Sequence, residues 1–263
     1  MGALDKAYNG ITRFVDSFVN TTTSDNDSLE IMENKSAWYA EWDDNYFGEL
    51  LNNKITKTVL RKVADTYYGK QLEDLLSEAT ELTSDSFPRL FDIFNFCCIT
   101  LGVYCHPKAY VTGRLNGINA ISLDVHGKQL ILISSQAAVC LSTKEQCFLL
   151  GHEISHHQQG NLVCHTVNGL VDNFNNASSI FGPLVLDSIE VPLKRWCRQS
   201  EFNADRAGYL CCNDLETIKR LFIRLGMISM PSVYADYNEV GAAHPMLHTR
   251  WKALKDYIQQ TQI

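Results

Sequence analysis

Apolar side chains in the first hundred residues recur every three or four positions, which is the period of an amphipathic helix. The polar run at residues 21–28 is instead typical of a loop. The N-terminal hundred residues are therefore expected to be mainly helical. Helices are predicted over residues 3–19, about 53–64 and about 67–82, and from Phe87 onward.

The spacing of apolar residues changes after Pro107 to a pattern that is typical of extended strands. Strands are predicted over residues 109–112, 118–125 and 129–134. The turn sequence His126-Gly127-Lys128 lies between the last two, so these two strands are expected to form a β-hairpin. Helical spacing returns near Gln136 and continues to the C-terminus. Breaks are predicted at Gly160-Asn161, Gly182-Pro183, Asn213 and Pro231.

The sequence His-Glu-Ile-Ser-His at residues 152–156 combines helical spacing with metal-binding side chains. His152 and His156 are four residues apart, so a helix presents both imidazoles on one face to a single cation. Glu153 is offset from that face. A carboxylate in this position can accept a proton from metal-bound water without binding the metal itself.

The residues that flank this sequence also favour a helix. Ser142 or Thr143 together with Glu145 can cap its start, and Gly160 can end it. The five-residue pattern nevertheless occurs by chance in a chain of this composition at a rate on the order of one in a hundred. The alternative is a buried helix that carries two histidines for packing. A further ligand is therefore required.

A second helical segment, residues 198–208, supplies the candidate ligand. Its acidic residues Glu201 and Asp205 share one helix face. Catalytic zinc is often bound by two His and one Glu, which makes Glu201 the third ligand of a Zn2+ site. Asp205 could accept a hydrogen bond from the ring of a ligand histidine and so fix its orientation. Taken alone, the two carboxylates would indicate only a solvated helix face.

Composition and charge exclude several classes of protein. The 263-residue chain has 45% apolar and 20% charged residues, which is the composition of an ordinary globular protein. Its length is sufficient for one sizeable core. A net charge of −7 and the lack of a basic run argue against a nucleic-acid partner. The start lacks the order of a secretion signal, and no apolar stretch is long and uncharged enough to be a transmembrane segment. The nine cysteines, an odd number without Cys-x-x-Cys, are typical of reduced buried thiols. We therefore expect a soluble, cytoplasmic protein.

The other histidines are weaker candidates. His157 points about 100° away from the preceding histidine on the helix, and three more lie near predicted loops, so all four are expected to be surface or packing residues. His248 follows His244 by four residues and is a lesser possibility for a second pair, since no Glu lies next to His244. The three near loops are His106, His126 and His165.

Three blocks in this order resemble the M48 family of metallopeptidases, over roughly residues 105–257. They are His152–His156, Glu201–Asp205 and His244–Arg250. The resemblance implies an α+β, mainly helical, zincin-like (gluzincin) fold with a small sheet or hairpin beside the His152 helix. Residues 105–263 would form the metallopeptidase domain, and residues 1–104 a helical region packed on it.

The resemblance also implies roles for single residues. His152, His156 and Glu201 would bind one zinc ion, and Glu153 would be the general base. His244 becomes a candidate for stabilising the oxyanion, and Arg250 a candidate partner of Asp205. The segment 119–122 would begin a strand at the rim of the cleft, where an extended substrate can add as a further strand. The membrane spans of several family members are missing here, so membrane-embedded substrates are not implied.

The chain is therefore expected to be a zinc endopeptidase that acts on a peptide or protein substrate, and a dedicated processing protease is one form of it. The alternative is a catalytically latent, metal-containing binding or regulatory module, which the intact Glu153 argues against. The N-terminal helices are candidates for a lid over the cleft. The helix 3–19 could instead contact a membrane surface, but its polar face is not rich in Lys, which favours packing on the body.

Overall fold

The computed structural model describes residues 38–39, 53–160, 162–171, 183–225 and 245–261. The predicted helix over residues 3–19, the loop at 21–28 and the break at Pro231 lie outside these ranges. So does His244. Within the described ranges the chain is mainly helical with one small sheet, so the predicted α+β class is confirmed.

Helix α1, Lys54–Ser77, is continuous where two helices were predicted. Its Thr66 hydroxyl donates to the carbonyl of Lys62, one turn earlier, and so is accommodated inside the helix. The predicted end at residue 82 is wrong. Thr80–Glu81 forms strand β1, because these two residues pair with Val111 and Tyr110. Helix α2, Pro88–Thr100, follows with proline in its first turn.

In the described part of the chain, the sheet contains four strands in the order β1-β2-β4-β3. Strands β3, Ala120–Val125, and β4, Lys128–Ser134, form the predicted antiparallel hairpin. Both turn residues, His126 and Gly127, have positive φ values of 52° and 69°, as a tight hairpin turn requires. Strand β2, Lys108–Thr112, pairs in parallel with β4. Strand β3 therefore lies at one edge of this sheet.

Six helices follow the sheet in the described ranges, and their ends agree with the predicted breaks at Gly160, Pro183 and Asn213. Gly160 and Asn213 both adopt positive φ, which ends the helices before them. The helices are α3, Ser135–Cys140; α4, Thr143–Gln158; α5, Leu162–Val171; α6, Pro183–Cys212; α7, Leu215–Arg224; and α8, Leu247–Thr261. No helix in the described part of the chain is long and apolar enough to cross a membrane.

Helix α4 lies at the centre of the fold and begins at a capping box. The Ser142 side chain accepts from the Glu145 N–H, and the Glu145 carboxylate accepts from the Ser142 N–H. Its residues from Glu145 to His156 are almost all buried. Helix α6 approaches it closely at two glycines. A Cβ on Gly208 would lie 2.7 Å from the Phe148 carbonyl oxygen, and one on Gly151 would lie 2.7 Å from Cys211 Sγ.

Candidate metal centre and cleft

Helix α4 directs His152 and His156 toward a common point. The two side chains are one turn apart, and their Nε2 atoms are 3.3 Å apart with the rings nearly perpendicular. Both residues are buried, at 6% and 1% exposure. Two ring nitrogens are thus held close together in a part of the protein that has little access to water.

Helix α6 adds Glu201 to this pair. Its carboxylate oxygens lie 3.5 Å from His152 Nε2 and 3.7 Å from His156 Nε2. The three donor atoms all lie within 4.8 Å of one another. The close approach at Gly208 and Gly151 explains why the two helices can bring these side chains together.

The other ring nitrogens of the two histidines face oxygen atoms. His152 Nδ1 lies 3.2 Å from Asp205 Oδ1, and His156 Nδ1 lies 3.1 Å from Ser200 Oγ. Although burial alone would raise the pKa of Asp205, Arg250 and His152 lower it, so Asp205 is a carboxylate that only accepts hydrogen bonds. An Nδ1–H on His152 would donate to this carboxylate and leave the Nε2 lone pair for a cation.

Arg250 of helix α8 forms ion pairs with two carboxylates of helix α6, those of Asp205 and Glu201. Its Nε and Nη2 donate to the two oxygens of Asp205 at 2.8 and 2.6 Å, and Nη1 lies 3.0 Å from Glu201 Oε2. The side chain is 14% exposed. This bidentate geometry fixes Asp205, and through it the ring of His152.

Glu153 lies beside the donor group and is buried, at 5% exposure. Ser122 Oγ of strand β3 lies 2.8 Å from Glu153 Oε2 and 2.9 Å from the Glu153 carbonyl oxygen. Burial raises the pKa of Glu153 to about 7, against the opposing effects of His152 and Ser122. The carboxyl group can therefore gain and lose a proton near neutral pH.

The charges around the donor group are unbalanced. Within the described residues, the buried carboxylates of Glu201 and Asp205 and the buried carboxyl group of Glu153 face one partly buried guanidinium, that of Arg250. The carboxylates, Asp205 and Glu201, also raise the pKa of His152 above its usual value against the effect of its burial. Burial and the neighbouring histidines lower that of His156. A divalent cation offsets this excess of negative charge, and two imidazoles with one carboxylate are a donor set that suits zinc.

His165 was expected near a loop as a surface or packing residue. It lies in the first turn of helix α5, and its side chain is only 11% exposed. Its ring stacks on that of His156 with centroids 3.9 Å apart, and its Nδ1 lies 3.9 Å from Glu201 Oε1. It also forms a second group of converging donors with Glu153 and His156. Sequence spacing could not reveal this, because helix α4 ends before Gly160 and His165 lies in a separate helix.

The remaining histidines lie elsewhere. His106 is exposed, at the edge of the Phe94 ring, and His126 occupies the hairpin turn. Burial lowers the pKa of His157 to about 4, which fits a packing residue. His248 contacts Thr249 Oγ1 at 3.2 Å and is outside the two described groups of converging donors.

The candidate centre opens into a cleft of about 370 Å³. Its rim is strand β3 with the residues before it, and its floor carries His152, Glu153 and Glu201. Sequence reasoning anticipated the rim at residues 119–122. It missed Ser122 and Ser200 as partners of the centre, because a lone serine in a strand or helix carries no spacing signal.

Comparison with known proteins agrees with this geometry. The model of peptidase family M48 matches residues 99–258, which is well over half of the chain. A curated relative, plastoglobule-localized metallopeptidase 48 from the chloroplast of Arabidopsis thaliana, is 26% identical over 108 residues. The match covers 41% of this chain and 31% of that protein, so it spans less than a third of the relative's length. No solved structure matches the chain.

The matched residues contain the whole of the described donor group with Glu153, Asp205 and Arg250. The predicted resemblance is therefore confirmed at the level of the family. This chain belongs to peptidase family M48.

Proposed function

We propose that the protein is a zinc-dependent endopeptidase in which Glu153 acts as the general base. The observation that carries this proposal is the convergence of His152, His156 and Glu201 beside a buried carboxylate in an open cleft. A purely structural metal site needs neither the adjacent base nor the opening. Both features instead fit hydrolysis.

His152, His156 and Glu201 would hold one zinc ion per chain. Two histidine Nε2 atoms and a carboxylate are the ligand set of many catalytic zinc sites, in which a further position is left for water. When bound, zinc acidifies a water molecule and polarises the carbonyl of the substrate. Asp205 and Arg250 would keep the ring of His152 in place, and Ser200 would do the same for His156.

Glu153 would take a proton from the attacking water and return it to the leaving amine. Ser122 engages Oε2 of Glu153, and Oε1 would be the oxygen that accepts the proton. Burial raises the pKa of Glu153 to about 7 in the metal-free site, and a bound zinc ion would lower it, so that the group would be a carboxylate able to accept the proton. The predicted oxyanion role of His244 remains a proposal, because that residue lies outside the described ranges.

Strand β3 would bind the peptide backbone. In an antiparallel hairpin, alternate residues direct their backbone groups toward the partner strand. The Asp124 N–H points away from β4, to Thr166 Oγ1 at 2.8 Å, so Ala120 and Ser122 also present their N–H and C=O groups to the sheet edge. A substrate that pairs there crosses the face of the donor group.

The substitution Glu153→Gln tests the proposal, with Glu73→Gln on the exposed face of α1 as the control. Cleavage of an unfolded protein would be followed by mass spectrometry, and zinc content by plasma mass spectrometry. We expect the Glu153 variant to keep one zinc and to lose at least about a thousandfold in turnover, while the control is unaffected.

Other outcomes have distinct meanings. Full turnover in the Glu153 variant would remove that residue from the proposed role. One zinc per chain without hydrolysis of any substrate by the unsubstituted protein would favour a latent binding module. Cleavage of one partner protein with no effect on casein-like substrates would identify a dedicated processing protease.

A further inference from the structure

The sheet presents its two faces to different helices. Side chains alternate along strand β3, so that Ser122 faces helix α4, where its hydroxyl reaches Glu153. The neighbouring Leu123 faces the other way and belongs to a buried cluster with Leu72 of helix α1. The edge of β3 therefore lies between the candidate metal centre on one face of the sheet and helix α1 on the other.

Helix α1 contributes Tyr68 to the lining of the cleft. The Tyr68 ring packs against two buried clusters, one of which contains Leu72 and Leu123. The other contains Val163 and Val167 of helix α5. Packing against both clusters restricts the position of the ring, and with it the position of the phenol hydroxyl in the cleft.

The fold does not use the Tyr68 hydroxyl. Within the part of the chain that the structure describes, this group forms no hydrogen bond. Burial raises the pKa of Tyr68 above its ordinary value, so the group is a neutral O–H that can donate one hydrogen bond. Tyrosine hydroxyls in partly buried positions normally have a partner. Here water or a bound molecule must supply it.

Helix α5 determines where along the cleft a peptide would meet Tyr68. Thr166 Oγ1 accepts from the Asp124 N–H at 2.8 Å, so helix α5 covers the edge of β3 at this point. Tyr68 packs against the buried cluster of the same helix. A peptide that pairs with residues 120–122 would therefore pass from the metal centre toward Tyr68.

The peptide would also lack one backbone partner at this end. Because Thr166 occupies the Asp124 N–H, a substrate carbonyl that reaches this position finds no donor on β3. The Tyr68 hydroxyl is a donor at the same end of the cleft. An antiparallel arrangement is the more stable way to add a strand to an edge. Such a peptide runs against β3, so the residues near Asp124 are those N-terminal to the cleaved bond.

We propose that Tyr68 is a substrate-binding residue, whose hydroxyl donates a hydrogen bond to a backbone carbonyl of the peptide on the N-terminal side of the cleaved bond. This inference rests on the proposed peptidase function and gives the cleft a substrate contact from helix α1. That helix precedes residues 99–258, which match the family model.

The substitution Tyr68→Phe tests the hydroxyl alone, because it keeps the ring and its packing. The control is Tyr110→Phe. Tyr110 packs against the same cluster as Tyr68, but it lies beside Lys108 on strand β2 and does not line the cleft. Thermal unfolding and zinc content are expected to be the same in both variants and in the unsubstituted protein, since neither substitution removes a packed ring.

Peptide hydroxamates test the contact without turnover. In this series, acetylated alanine chains of one to four residues precede a C-terminal hydroxamate, so the chain extends from the zinc only in the N-terminal direction. Calorimetry with the zinc-loaded, full-length protein is expected to show affinity that rises with chain length. Tyr68→Phe should weaken binding of the longer probes about threefold to tenfold. Acetohydroxamate, which carries no peptide, should bind all three proteins equally.

Turnover provides a second measurement. For a peptide that the protein cleaves, Tyr68→Phe is expected to raise KM about threefold to tenfold and to leave kcat nearly unchanged, since a backbone contact away from the cleaved bond binds the ground state and the transition state alike. Removing residues from the N-terminus of that peptide should abolish the difference between the two proteins. Tyr110→Phe should match the unsubstituted protein throughout.

The outcomes separate the two proposals. Length-dependent binding that Tyr68→Phe weakens, without cleavage of any peptide, would support the substrate contact and contradict the peptidase function. Equal affinities of the unsubstituted protein and the Tyr68 variant for every probe would overturn the inference, as would the absence of binding by any probe. An equal loss for acetohydroxamate and for the longest probe would also overturn it, because the hydroxyl would then act on the metal centre.

Discussion

Asp205 shows how much of the candidate centre depends on residues outside the donor group of His152, His156 and Glu201. It accepts from two nitrogens of Arg250 and faces Nδ1 of His152, and it does so in a nearly dry environment. Its charge is therefore engaged by Arg250 and by the ring of His152. The contribution of such a residue should appear in metal affinity rather than in the fold of the cleft.

The substitution Asp205→Asn tests this role. An amide is neutral and can present either an oxygen or an NH2 group to the His152 ring, so the ring loses its charged acceptor and Arg250 loses its counter-ion. Zinc affinity, measured by competition with a chelator, is expected to fall about tenfold to a hundredfold. Asp256→Asn on the exposed face of α8 is the control. An unchanged affinity in the Asp205 variant would contradict the role.

Sequence spacing located the residues that act within one helix and failed for those that depend on tertiary packing. His152, Glu153 and His156 are related by helical geometry alone, and so are Glu201 and Asp205. His165 reaches His156 only because helix α5 folds back on α4, and Ser122 reaches Glu153 only because β3 lies over it. Neither contact leaves a periodic signal in the chain.

Among the elements, the pairing of helices α4 and α6 is the feature that assembles the centre. Gly208 lies against the Phe148 backbone carbonyl, where even a methyl group meets fixed atoms. The helices can approach this closely only because the position has no side chain. The sequence predicted both helices, but nothing in their separate patterns predicted the distance between them.

The substitution Gly208→Ala is expected to push α6 away from α4. A new Cβ at 2.7 Å from a carbonyl oxygen requires a backbone shift, which should lower the free energy of unfolding by about 1–3 kcal/mol and weaken zinc binding. Gly113→Ala is a matched control, because its Cβ would meet only Ser135 Oγ at 3.8 Å. Chemical denaturation would measure both variants. Equal stabilities would show that the helices are not tightly coupled.

Helix α7, whose Leu221 and Phe222 line the cleft, is stabilised by its N-cap residue, Asp214. Asp214 accepts from the Thr217 N–H at 3.0 Å and from Lys144 Nζ at 2.7 Å, and Lys144 and Thr217 lower its pKa to about 2. Asp214→Ala should cost about 1 kcal/mol at pH 7. The carboxylate is charged in the folded protein down to about pH 2, so its stabilisation is present above about pH 4 and is lost as the pH falls toward 2.

Thermal unfolding at several pH values would check this. The difference between the unsubstituted protein and the Asp214 variant should be largest near pH 7 and should shrink below about pH 4. The exposed Glu216→Gln on the same helix provides a comparison. A difference that stays constant down to pH 2 would assign the effect to packing rather than to charge.

The sheet could be predicted only in part from the patterns of its separate strands. The β3–β4 hairpin followed from its local turn, whereas the parallel pairing of β2 with β4 and the addition of β1 at the far edge did not. Parallel pairing joins segments that are distant along the chain, so no local pattern specifies it. The α+β class was predictable, and the order of the strands was not.

At the scale of the whole molecule, a cation bound in the centre would offset the negative charge of the buried carboxylates of Glu201 and Asp205. Zinc that binds only the folded state stabilises it by about 4 kcal/mol at a thousand times its Kd. The midpoint of thermal unfolding should therefore rise by several degrees with zinc and fall with a chelator. His156→Gln should abolish this response, whereas the exposed His106→Gln should retain it. A zinc response that survives in the His156 variant would place the metal elsewhere.

If strand β3 binds substrates as proposed, it limits which proteins can be cleaved. A backbone that pairs with this edge must bring free N–H and C=O groups, and in a folded protein those groups are already engaged with each other. The protease would thus act on segments only during the time that they are locally unfolded. Its cleavage rate on a given target would follow the equilibrium population of the opened segment, so marginally stable or damaged proteins would be degraded first.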